Sequence, residues 1–98
     1  MVRNTIDYKS DPRSVAIGDF NNDAWLDIAV ATYAADNVAI YFGYGNGTVG
    51  SPVKYFTGSG SAPSMIAVGD FDNDHRLDVV VANFGTNSVG ILRKFQNG

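Results

Sequence analysis

"PRSVAIGDFNNDAWLDIAVATY" (residues 12–33) returns fifty-one positions later as "PSMIAVGDFDNDHRLDVVVANF" (residues 63–84). Carried on to the C-terminus, the same shift gives 15 identities in 36 aligned positions, and most other pairs exchange like for like. Asn97 and Gly98 fall on Asn46 and Gly47, where the second copy stops in mid-unit. Its missing end lies at the other terminus: Tyr8 falls on Tyr55 and Pro12 on Pro63 after a four-residue loop deletion. Residues 1–98 therefore read as one unit of two repeats, cut and permuted. Residues 12–62 form a complete repeat, 63–98 the first three strands of another, and 1–11 its displaced last strand. A cut in mid-repeat and a start at Met1 suggest an excised or engineered fragment.

Each repeat reads as four short strands. In the first they are residues 14–20, 26–33, 38–44 and 51–56; in the second, 65–71, 77–84, 89–95 and the N-terminal 2–8. Between them "AADN", "GTNS" and "GNGT" carry hairpin-turn chemistry. The second strand of each repeat is apolar at successive positions, Ile28 to Ala31 and Val79 to Ala82. A strand with one solvated face would alternate instead. Four-stranded units of about 40–50 residues, covered on both faces, are what propeller blades require. The expected fold is all-β: two four-stranded antiparallel β-propeller blades per chain, completed into a full propeller by oligomerisation. A small two-sheet sandwich is the alternative, although it has no need of a 51-residue repeat.

Composition agrees with a packed β protein. Hydrophobic residues make up 45% and aromatics 12%, while eleven glycines against three prolines suit many tight turns. The seven basic residues are scattered and form no patch, which excludes nucleic acid as a partner. No apolar run is long enough for membrane insertion, and the N-terminus lacks a signal-peptide core. Without cysteine there is neither a disulfide framework nor a thiolate metal site. All ten acidic residues are Asp, and seven of them crowd into two short windows.

Counted from Asp19, side-chain oxygens fall at loop positions 1, 3, 5 and 9: Asp19, Asn21, Asp23 and Asp27. The second copy offers Asp70, Asp72, Asp74 and Asp78. Alternate residues in a tight loop converge on one centre, and hard oxygen donors so arranged suit calcium. The backbone carbonyls of Trp25 and Arg76, at position 7, complete the expected shells. A helix–loop–helix calcium hand is rejected, since its position-12 carboxylate is replaced by Val30 and Val81 and a strand follows the loop. A catalytic carboxylate pair would face a substrate across a cleft, whereas these converge inside a hairpin and occur twice. A metal-free polar turn would hold mutually repelling charges without compensation. The chain is therefore expected to be no enzyme, and to bind two Ca2+.

"GDFNNDAWLDIAVA" and "GDFDNDHRLDVVVA", with "FGYGNGT" and "SAP", resemble the FG-GAP (VCBS) repeats of integrin α-type β-propellers. The resemblance spans the whole chain. It implies a calcium-binding loop between the first two strands of each blade, and an extracellular or secreted setting. The glycine usual at position 6 is replaced by Ala24 and His75. Family propellers serve adhesion, lectin-like recognition or scaffolding.

Two blades do not close a ring, so the expected partner is the chain itself. Residues 2–8 pair with residues 89–95 of a neighbouring copy, head to tail. Two blades per chain exclude a seven-bladed ring; a homotrimer with six blades is preferred and a homotetramer with eight comes second. The alternative function is a glycan- or protein-binding module, using the loops opposite the calcium hairpins with Tyr33 and Phe84 as stacking platforms.

Overall fold

The computed structural model describes residues 11–45, 48–71 and 73–92. Strands β1 (Pro12–Gly18), β2 (Asp27–Thr32), β3 (Asn37–Tyr41) and β4 (Val53–Phe56) form an antiparallel sheet in that order. Strands β5 (Pro63–Gly69), β6 (Asp78–Asn83) and β7 (Ser88–Leu92) form a second. A 3-10 turn at Tyr33–Ala35 is the one helical piece among the described residues. The fold is all-β, as the strand-rich composition and turn spacing predict.

The repeat extends to the pairing itself. Ile17 faces Ile28 and Val30 faces Ala39 in the first sheet; Val68 faces Val79 and Val81 faces Gly90 in the second. Both first strands slip register at the same place, just after Pro12 and just after Pro63. Proline has no N–H for the ladder and is tolerated at a strand's first residue.

Every strand's limits differ from the expectation. β2 and β6 are one residue shorter at each end, β3 runs 37–41 instead of 38–44, β4 begins at Val53 instead of residue 51, and β7 begins at Ser88 instead of residue 89. The first strands were expected at 14–20 and 65–71, but they run two residues earlier and end at Gly18 and Gly69. Asp19 and Asp70 turn the chain at once, because their carboxylates capture backbone N–H groups four and five residues ahead. The expected strand at residues 2–8, and residues 93–95 of its proposed partner, lie outside the described residues.

β2 is central in its sheet and loses solvent on both sides. On one face Ala29, Val38 and Ile40, with Phe20 and Phe42, pack against Val79 and Val81 of the second sheet. On the other, Val30, Ala39 and Tyr41 form a separate cluster with Ile28 and Val49. β6 is less enclosed: Val79 and Val81 are buried, while Val80 and Ala82 on its other face are half-buried. The sheets approach closely along β1 and β5. The Ile66 N–H donates to Ser14 Oγ at 3.2 Å, and a Cβ on Gly18 would lie 2.7 Å from Leu77 Cδ1.

At the end opposite the Asp-rich loops, Asp36 ties the β4–β5 connection. It takes a left-handed backbone (φ 54°), and its carboxylate accepts from Ala62 N–H at 3.0 Å and Gly60 N–H at 2.9 Å. Its own carbonyl accepts from Thr57 N–H at 2.9 Å. The same connection reaches the second sheet, where Ser61 O accepts from Gly85 N–H and Ala62 O from Phe84 N–H. The Ala62 and Gly60 N–H groups hold the Asp36 carboxyl below its ordinary value of 3.8.

A lowered carboxyl value means that the stabilisation is present above the unfolded value and is lost as pH falls through the folded one. Asp36→Ala is therefore expected to lower Tm at neutral pH, with the gap to the parent closing in acid below pH 3.8. Thermal melts of both proteins across that range check this.

Candidate metal centre

Between β1 and β2 the chain makes a compact hairpin whose shape the backbone and two carboxylates fix together. Asn22 and Ala24 take left-handed φ values of 60° and 71°, as do Asn73 (61°) and His75 (66°) in the second loop. Such a conformation costs an ordinary L-residue about 1–2 kcal/mol. The chain thus makes, without glycine, the sharp turn expected at position 6.

Hydrogen bonds offset that cost. Asp19 accepts from Asp23 N–H at 3.1 Å on one oxygen and from Ala24 N–H at 2.9 Å on the other. Asp70 does the same with Asp74 N–H (3.0 Å) and His75 N–H (2.8 Å). Asp23 Oδ1 accepts from Trp25 N–H and Asp74 Oδ1 from Arg76 N–H, each at 3.0 Å. Position 7 is therefore held identically in both loops, whatever its side chain. Burial pushes the Asp70 carboxyl upward, but the His75 and Asp74 N–H groups outweigh it and leave a net downward shift.

Asp27 is different. It is fully buried, its Oδ2 accepting from Phe20 N–H at 2.9 Å and its Oδ1 from Gly43 N–H at 2.9 Å. One carboxylate thus clamps the start of the loop to the far end of β3. Burial raises its pKa; the Gly43 and Phe20 N–H groups work against that, and the charges of Asp23 and Asp19 add to it. Asp78 repeats half of this clamp, accepting from Phe71 N–H at 3.1 Å. The counterpart of Gly43 is Lys94, outside the described residues.

One carboxylate oxygen from each of Asp19, Asp23 and Asp27 lies within 4.8 Å of the others. Both polar atoms of the Asn21 side chain are buried and have no hydrogen-bond partner. An orphaned amide costs about 1–3 kcal/mol. Asn21 stands two residues from Asp19 and from Asp23, and the four side chains together offer hard oxygens and no soft donor, a chemistry that fits calcium better than zinc or copper. The structure thus brings Asp19, Asn21, Asp23 and Asp27 to one hairpin, and sets Asp70, Asp74 and Asp78 in the same bonding frame. Asp72 lies outside the described residues.

The Trp25 ring leans away over the β3–β4 connection. A Cβ on Gly45 would meet its ring atoms at 2.6 Å, and Gly45 itself has φ 82°. The ring borders a groove of about 440 Å3 with Ile17, Leu26, Ile28 and Val49. At the opposite end, Tyr33 carries the Arg13 guanidinium 4.0 Å above its ring, so that face is taken. Arg13 is itself paired with Asp11 at 2.8 Å. Phe84 is exposed beside a shallow depression shared with Asn83, Asn87 and Ser88.

Sequence reasoning placed Asp27 only as a ligand and missed its bond to Gly43. The available signal was its position at the head of β2, directly before the apolar run Ile28 to Ala31, which obliges its carboxylate to find buried donors.

Residues 19–81 match the family model of the FG-GAP-like repeat, and the chain belongs to that family. No curated protein and no solved structure matches it.

Asp27→Ala leaves two N–H groups without their acceptor and is expected to cost about 2–4 kcal/mol, read by chemical denaturation. Ala24→Gly relieves a left-handed alanine but frees the unfolded chain, for a net gain of up to about 1 kcal/mol in the same assay.

Proposed function

We propose that this FG-GAP-like repeat chain is a non-catalytic, calcium-binding β-propeller-type module that assembles with copies of itself. The observation that carries the reading is the first hairpin, where three carboxylates converge and the Asn21 amide of the same loop is buried without a partner. Asp19, Asn21, Asp23 and Asp27, with the Trp25 carbonyl, would hold one ion. Asp70, Asp72, Asp74 and Asp78, with the Arg76 carbonyl, would hold the second. Two divalent ions take the formal charge from −3 to +1 (−3 + 4) and remove the repulsion within each loop. Family membership supports both the propeller reading and an extracellular setting, where modules of this kind bind calcium at about 10⁻⁴–10⁻³ M. No helix among the described residues is long and apolar enough to cross a membrane.

Assembly is supported by the blade count, since two blades do not close a ring. Among the described residues the second sheet ends at β7. Residues 2–8 of a neighbouring copy would supply its fourth strand. A homotrimer closes six blades and is favoured; a homotetramer closes eight.

The exposed Phe84, set among Asn83, Asn87 and Ser88, favours one alternative: a glycan or protein ligand at the end opposite the calcium hairpins. A ring face with amide and hydroxyl neighbours suits a saccharide. Glycan-array binding that Phe84→Ala abolishes would establish it.

Saturating calcium is expected to stabilise the fold by about 1–3 kcal/mol per site relative to chelator. Asn21→Ala with Asp23→Asn should remove the effect of the first site. The pH dependence changes sign with the metal. Without calcium, the raised Asp27 value makes its stabilisation present below 3.8 and lost as pH rises through the folded value. With calcium, Asp27 must be ionised to bind, so affinity falls as pH falls. Melting in calcium, magnesium and chelator, with calorimetric titration, measures all of this; identical Tm values in calcium and chelator would sink the calcium reading.

A further inference from the structure

The contact between the two sheets joins opposite faces of equivalent repeats. Val38 and Ile40 lie buried at it on the first sheet, and Val79, with Val68 packed alongside, on the second. Fifty-one residues on, Val38 and Ile40 become Val89 and Ile91, exposed on the outer face of the second sheet. Fifty-one residues back, Val68 and Val79 become Ile17 and Ile28, on the outer face of the first.

The loop residues follow the same rule. Phe20 is 1% exposed because it packs into the inter-sheet cluster, whereas its counterpart Phe71 is 53% exposed. Leu77 packs against that cluster and presses on Gly18, whereas its counterpart Leu26 is 67% exposed. On Gly69, the counterpart of Gly18, the three atoms nearest a Cβ would all belong to Phe71, at 3.3 Å or more. The two outer faces are therefore the two halves of the contact already made inside the chain, held apart on opposite sides of it. Arg93, which stands where the first repeat has Phe42, lies outside the described residues.

From this we infer that the outer face of the second sheet docks on the outer face of the first sheet of another copy, repeating the internal contact. Val89 and Ile91 of one copy take the places of Val38 and Ile40 against Ile17 and Ile28 of the next. Phe71 enters the groove beside Leu26, and Leu26 lies on Gly69. Such a contact is heterologous: each copy offers two different surfaces, and the contact propagates until a ring closes. Exposed apolar surface of this extent also needs a cover. The inference rests on the self-assembly reading above, and names its surfaces without depending on calcium or on exchange of residues 2–8.

The test uses one charge on each face, at exposed strand positions away from the acidic loops: Val15→Asp, on the same outer face as Ile17, and Val89→Asp. Each position is exposed, so each variant should keep the parent's circular dichroism and a cooperative melt, its midpoint lowered only by what assembly contributed. Light scattering and native mass spectrometry should show the parent as a multiple of 10.5 kDa and each variant alone as a 10.5 kDa monomer. Mixing the variants should restore one contact and no more, because each retains the face that the other has lost. The product is a one-to-one heterodimer of twice 10.5 kDa. A monomeric parent, an assembled single variant, or a mixture that stays monomeric would each overturn the proposal. Running every sample in calcium and in chelator separates the failures: masses that follow this pattern in both leave docking intact even where the calcium reading has failed.

Discussion

The two sheets pack through unlike faces of like strands, and most other features depend on that contact. A sequence repeated at 51 residues gives both sheets the same pair of faces. Face-to-face packing of two identical faces would have produced a closed sandwich with two spare faces, both free to become polar. Packing one kind of face against the other leaves one of each kind outside. The outer faces remain apolar, with Val15 and Ile17 on one side and Met65, Val89 and Ile91 on the other all exposed. A sandwich with solvated outer faces would place polar residues there instead.

Much of this was legible beforehand, because the repeat and the unbroken apolar run of β2 both depend on burial. Val30 and Ala39 go to one side and Ala29 and Ile40 to the other, as a doubly covered strand requires. The strand ends were less legible. Phe20 and Phe71 look like the last residues of apolar strands, yet each is already in the loop, its N–H captured by Asp27 or Asp78. Alternation cannot reveal a bond that reaches seven residues ahead. The link from Asp27 to Gly43, sixteen residues on, was hidden for the same reason.

Backbone conformation repeats more faithfully than side-chain identity. Non-glycine left-handed residues among the described ones occur in pairs one repeat apart: Asp11 with Ala62, Asn22 with Asn73, Ala24 with His75, and Asp36 with Asn87. Three of the four pairs differ in residue type. What they share is a hydrogen-bonded frame that fixes the turn from outside: Asp19 and Asp70 in the acidic loops, and Asp11 O and Ala62 O accepting from Tyr33 and Phe84 N–H at the other end. A carboxylate or carbonyl already in place can hold alanine or histidine where glycine would otherwise be expected.

The acidic hairpins and the sheet contact are built from the same few residues, which couples them physically. Phe20 hangs by its N–H from Asp27 and carries its ring into the inter-sheet cluster. Leu77 precedes Asp78 and presses on Gly18, which precedes Asp19. Any charge repulsion that opened the first hairpin would swing Phe20 out of the cluster, and opening the second would lift Leu77 from Gly18. A cation drawing the carboxylates together would act in the opposite sense, holding both residues where the neighbouring sheet meets them. Phe71 and Leu26 stand in the same relation to the outer faces, so the rigidity of each hairpin also sets the shape of those faces. Neutralising the loops and packing the blades are thus two effects of one local geometry.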